Sequence, residues 1–155
     1  MKKGLLLFVW ICALQLIGAL IGLLTKTDMT SWYHHLVKSS LTPPNFVFGI
    51  TWSILYVCIA ISGWLLWQSN YSIELKRTKS VYLAQLLLNW LWTPLFFHFH
   101  LTGMALICLL FIIIFTLLTM LWSWKISQVA SYLLFPYVLW CSFAAYLNAF
   151  IYFTN

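Results

Sequence analysis

Residues 103–124 carry no charged side chain, and their only polar groups are hydroxyls. About 20 apolar residues is the length an α-helix needs to cross the hydrocarbon core of a bilayer. Four more stretches of similar character lie at about 4–24, 44–68, 80–98 and 129–153, read from runs of apolar residues between polar breaks. Inside lipid every backbone N–H and C=O must find a partner within the protein, and a helix does this segment by segment. With 64% hydrophobic and 6% charged residues, the chain has no means of hiding such runs in a water-soluble fold. The sequence therefore predicts an all-α integral membrane protein, a five-transmembrane-helix bundle forming one domain over residues 1–155. Residues 25–41 form a lid-like loop between helices 1 and 2. The first run resembles a signal peptide in its Met1-Lys2-Lys3 start, but no small-x-small cleavage site closes it, so it is read as a retained helix.

The net charge of +6 comes from eight Lys and Arg against Asp28 and Glu74. These charges sit in short loops, where they report membrane orientation rather than affinity for nucleic acid. Lys2, Lys3, Lys76, Arg77, Lys79 and Lys125 fall on one side, Lys26 and Lys38 on the other. The positive-inside rule then puts the N-terminus in the cytoplasm, and the 25–41 loop and the C-terminus outside, in what reads as a bacterial cell membrane. Cys12, Cys58, Cys108 and Cys141 lie in apolar runs without a CxxC pair, so they read as small buried hydrophobes.

Three stripes stand out against this background. Thr42-Pro43-Pro44 reads as a cap followed by prolines in the first turn of a helix. Phe48, Trp52 and Tyr56 follow at four-residue spacing on one helix face. Gln85, Asn89 and Thr93 repeat that spacing, and amides within a membrane must face the bundle. Trp140, Ala144 and Asn148 form a third stripe of a large ring, a small residue and an amide. Spacing alone fits either a wall for a flat ligand or ordinary helix packing. Gly18 and Gly22 make a GxxxG that lets a helix or a ligand approach closely. Pro94 should kink the helix that holds it, and Pro136 lies inside the last helix. Two histidine pairs, His34-His35 and His98 with His100, read as interfacial residues, since i and i+2 point to different faces and no third metal ligand is evident. The ten tryptophans exceed what two interfacial belts require, which points to a cavity or to unusually aromatic packing.

Three ordered motifs give the chain a specific likeness. They are Pro43-Pro44 with Val47-Phe48 and Trp52-x-x-Leu55-Tyr56; then Gln85-Leu86-x-Leu88-Asn89-Trp90-x-Trp92-x-Pro94-x-Phe96-Phe97; then Pro136-Tyr137-x-x-Trp140-x-x-Phe143-Ala144-x-x-Leu147-Asn148. From about Lys38 onward the chain resembles the TspO/translocator protein family, the tryptophan-rich sensory proteins or peripheral-type benzodiazepine receptors. The resemblance implies a five-helix bundle, a homodimer, and a pocket beneath the first loop. It implies binding of porphyrins such as protoporphyrin IX and haem, and of benzodiazepine and isoquinoline carboxamide ligands, with no permanently bound cofactor. Carried over by motif, the pocket comprises Tyr33, Pro43, Pro44, Phe48, Trp52, Asn89, Trp140, Ala144 and Leu147. Trp52 and Trp140 are the residues that a light- and oxygen-dependent degradation of porphyrin would engage.

Some positions depart from the family pattern. Leu41 stands where animal members have a tryptophan, and Met104 where an aromatic is often found. The sterol motif of animal members is broken at Ala149 and Phe153, and no Lys or Arg follows Lys125. Sterol transport is therefore a poor reading. Two rivals to a tetrapyrrole sensor are a transporter of porphyrins or other apolar molecules and a structural, partner-binding subunit. Sparse intramembrane charge weighs against the first, and Gly18 with Gly22 is the cue for the second.

Overall fold

A computed structural model describes residues 2–155, with the side chains of Lys2 and of residues 26–30 outside the description. Lys26 and Asp28 of the first loop therefore lie outside the described side chains. The helices are α1 (Lys2–Leu24), α2 (Lys26–His35), α3 (Asn45–Gln68), α4 (Ile73–Thr93), α5 (Thr102–Ser123), α6 (Gln128–Leu133) and α7 (Phe135–Thr154). A π-helical turn, Pro94–His98, continues α4. Among the described residues there is no strand.

Among the described residues, four segments are long and apolar enough to span a bilayer: Lys3–Leu24, Asn45–Gln68, Thr102–Ser123 and the combined Gln128–Thr154. The surface carries large exposed apolar side chains such as Leu5, Phe8, Ile50, Ile54, Leu87 and Leu121. The protein is thus an integral membrane helical bundle, apolar on both its inside and its outside. Its core gathers Ile59, Leu66, Tyr82, Leu109, Ile112 and Tyr137, all essentially inaccessible. Buried hydroxyls are satisfied across helices or along them. Ser62 donates to the Ala130 carbonyl at 2.8 Å, and Tyr82 donates to the Ile59 carbonyl at 2.8 Å.

The expected boundaries shift at four places, each for a local reason. The polar stretch 68–80, read as a loop, is mostly helix, because Ser72 caps α4 by accepting from the Leu75 N–H at 3.0 Å. Glu74 then sits in the first turn, where the helix dipole favours an acid. Charged residues in those first turns leave α4 less apolar than the other long helices. Thr42 is not the cap of the second long helix. Its N–H bonds back to the Ser39 carbonyl at 3.0 Å, and Pro44, with extended ψ, precedes α3 at Asn45.

Pro94 does not simply kink α4. With no N–H to donate, it opens the π turn, in which the Phe99 N–H reaches the Pro94 carbonyl and the Leu101 N–H reaches the Leu95 carbonyl, both at 3.0 Å. Pro136 lies in the first turn of α7 rather than inside one continuous helix, because the chain breaks at Leu134.

The 25–41 connection is also more ordered than a loop. It contains α2, and Lys38 closes that helix by donating to the carbonyls of Tyr33 at 2.9 Å and His34 at 3.2 Å. Asn155 clasps the segment that follows: its side-chain oxygen accepts from the Val37 N–H at 2.8 Å and its amide donates to the Val37 carbonyl at 3.1 Å. The cysteines are free thiols, and Cys12 is exposed on α1 rather than buried.

Candidate functional site

Helices α1, α3, α4 and α7, with α2 at one end, enclose a cavity of about 460 Å³. That lies within the range of small-molecule sites, about 300–1,000 Å³. Phe48, Trp52 and Tyr56 of α3 form one wall, at the spacing the sequence suggested. Trp92, Phe96 and Phe97 form another, with Trp92 stacked on Phe96 at 5.3 Å between centroids. Ala144, Leu147, Asn148 and Ile151 of α7 complete it. Tyr33 of α2 meets Phe97 edge-on at 5.4 Å and faces the same space. Burial pushes the Tyr33 phenol above its usual range, so it remains a neutral donor in neutral solution.

The polar groups are few and mostly engaged. Tyr56 donates to Asn89 Oδ1 at 2.9 Å, and Asn89 Nδ2 donates to the Tyr137 hydroxyl at 3.0 Å. An amide has a second lone pair and a second N–H, so Asn89 keeps capacity toward the cavity. Trp92 Nε1 donates to Asn148 Oδ1 at 3.3 Å, and Asn148 Nδ2 donates to the Thr102 carbonyl at 2.8 Å. Among the described residues no Asp, Glu, Lys, Arg, His or Cys lines the cavity. The site thus offers rings and amides, suited to holding a flat apolar body by its faces.

Of the nine residues named from sequence, Tyr33, Phe48, Trp52, Asn89, Ala144 and Leu147 line this cavity; Pro43, Pro44 and Trp140 do not. The two prolines set the approach to α3. Trp140 lies on the far side of Phe48, touching it edge-on at 5.6 Å, in a shallow outer groove with Leu139 and Phe143. The helical period explains this separation. Four residues turn a helix by roughly 40° more than one full turn, so Trp140 and Asn148 are about 80° apart around α7. The same drift puts Gln85 fully buried outside the cavity while Asn89 and Thr93 line it.

Sequence reasoning missed the α1 wall, made by Gln15, Gly18, Ala19 and Gly22. Gln15 had a usable signal as the lone amide in the apolar run of α1. The two glycines divide the roles expected of a GxxxG. A Cβ at Gly18 would collide with the Tyr56 ring, so this glycine is needed for α1 to pack on α3, whereas a Cβ at Gly22 would meet nothing.

The chain matches the TspO/MBR family over residues 8–153. It is 34% identical over 145 residues to the tryptophan-rich protein TspO of Archaeoglobus fulgidus, covering 94% of each chain. It is 34% identical over 119 residues to the translocator protein of Homo sapiens, covering 76% of this chain and 70% of that one. It is also 34% identical to protein CrtK of Rhodobacter capsulatus, over 76% of this chain and 74% of that one. With a family match along nearly the whole chain and relatives at this identity, the protein belongs to the TspO/MBR family.

Proposed function

We propose that this protein is a membrane sensor that binds a tetrapyrrole, such as protoporphyrin IX or haem, in the cavity among α1, α3, α4 and α7. The observation that carries the reading is the cavity itself: opposed walls of Phe48, Trp52, Trp92, Phe96 and Phe97 with amides at the edge. A porphyrin is flat, apolar on its faces and polar at its rim, and it stacks on such rings. Flat synthetic ligands of the benzodiazepine and isoquinoline carboxamide type fit the same walls. In this reading α4 with its π turn is the fifth span, α2 is the lid, and the N-terminus is cytoplasmic. The working form is a homodimer.

In light and oxygen, excited porphyrin passes its energy to dioxygen, and the singlet oxygen formed adds to the macrocycle or to a nearby indole. Trp52 lies in the wall where this happens; Trp140 acts one ring removed, through Phe48. The test is a titration of purified protein with protoporphyrin IX, followed by tryptophan quenching in the dark and by porphyrin absorbance under light. Saturable binding is expected, with faster photobleaching than in protein-free detergent. Trp52→Phe should weaken binding by roughly tenfold, about the 1.4 kcal/mol of one good aromatic contact. Trp140→Phe should change binding less. Equal effects of the two substitutions would contradict the placement of the ligand, and absence of saturable binding would contradict the function.

A further inference from the structure

The cavity has one covered end and one open side. At the covered end, Tyr33 packs on Phe96 and Phe97, and Trp32 stacks on His100 at 4.1 Å between centroids. Rings seal the side nearest the loops. Between α1 and α3 the situation is reversed. Ala19, Gly49 and Ser53 line the cavity and are exposed, with only small side chains between the two helices there. Both helices are spans, so what lies outside them at this depth is lipid. A Cβ built on Gly22 or Gly49 meets no atom within 4 Å, so no side chain crosses the gap there. The lower limit of the gap is a tie between the two antiparallel helices, where Gln15 Nε2 donates to the Ser53 carbonyl at 2.7 Å. Ala19 and Gly49 lie one turn above that bond, on α1 and α3 respectively.

We propose that the cavity fills sideways from the bilayer, through this portal between α1 and α3, and takes amphiphiles already dissolved in the membrane. The proposal rests on the cavity being a ligand site, and narrows the ligand class to molecules that partition into lipid. Gln15 sets the floor of the portal, and the small residues above it leave a slot rather than a round opening. A slot suits a flat molecule entering edge first.

Gly49→Phe places a ring across the slot, and Gly22→Phe does so from the other helix. A portal changes the barrier and not the end states. In proteoliposomes, stopped-flow binding of protoporphyrin IX should therefore show association and dissociation both slowed, by about tenfold; because Gly22 and Gly49 also line the cavity, a mere loss of affinity would instead speed dissociation. A second measurement needs no tetrapyrrole. The Trp52 emission, taken as the difference between the unaltered protein and Trp52→Phe, should be quenched by lipids with brominated acyl chains, and Gly49→Phe should protect it. Unchanged rates in both phenylalanine variants would overturn the portal. So would Trp52 emission that aqueous acrylamide reaches and brominated chains do not. If protoporphyrin IX does not bind at all, the tetrapyrrole reading fails, and the quenching result alone decides the portal.

Discussion

Replacing Gly63 by alanine is expected to destabilise the bundle by about 2–4 kcal/mol, for the sake of one methyl group. Gly63 is buried on α3, and a Cβ there would sit on the Tyr82 hydroxyl. Tyr82 is wholly inaccessible and donates to the Ile59 carbonyl, one turn earlier on the same helix. The phenol thus lies flat along α3 in the space that glycine leaves. The added methyl forces the ring off its seat and strands a hydroxyl in a dry interior, so overpacking and an unmade hydrogen bond act together. Thermal unfolding of Gly63→Ala in detergent checks this. The double variant Gly63→Ala/Tyr82→Phe removes the atom the methyl meets first and should recover part of the loss, a non-additivity expected of residues in contact. A single variant as stable as the unaltered protein would show that α3 and α4 do not approach here as closely as described.

The second large effect is expected at Asn89. Its amide accepts from Tyr56 and donates to Tyr137, joining α3, α4 and α7. Both phenols are buried, and Tyr137 is fully inaccessible. Asn89→Leu keeps the volume and removes both partners. Each stranded phenol costs roughly 1–3 kcal/mol, so the melting temperature should fall by on the order of 10 °C. Tyr137→Phe leaves only one amide hydrogen unused and should cost much less. Comparable losses in the two variants would mean that Asn89 is not the hub of this network.

These residues also show how far the sequence could be read. The aromatic wall of α3 was legible because Phe48, Trp52 and Tyr56 repeat at four-residue spacing and, despite a drift of about 80° from first to last, all three stay on the face that α3 turns to the cavity. The stripes headed by Gln85 and Trp140 extend over eight residues, and in each the drift carried one end out of the cavity. Asn89 was legible as an inward-facing amide, but its partners Tyr56 and Tyr137 come from other helices, and no local pattern links them. The start of α4 was misread because polarity was taken as loop, although Ser72 followed by Glu74 is also how a helix begins at a membrane surface. The α1 wall was not legible as a site. Gly18 and Gly22 announce a close approach, but only the packed bundle shows Tyr56 beside the first and open space beside the second.

The most direct measurement is dark titration of protoporphyrin IX into Ala144→Phe. Ala144 is 8% exposed and lines the cavity on α7, opposite the aromatic wall. A phenyl ring there occupies the space of the ligand. Saturable binding should be present in the unaltered protein and weakened by at least about a hundredfold, roughly 2.7 kcal/mol, in variant protein whose cooperative thermal unfolding shows that it is folded. Undiminished binding by a folded Ala144→Phe would place the tetrapyrrole somewhere other than this cavity.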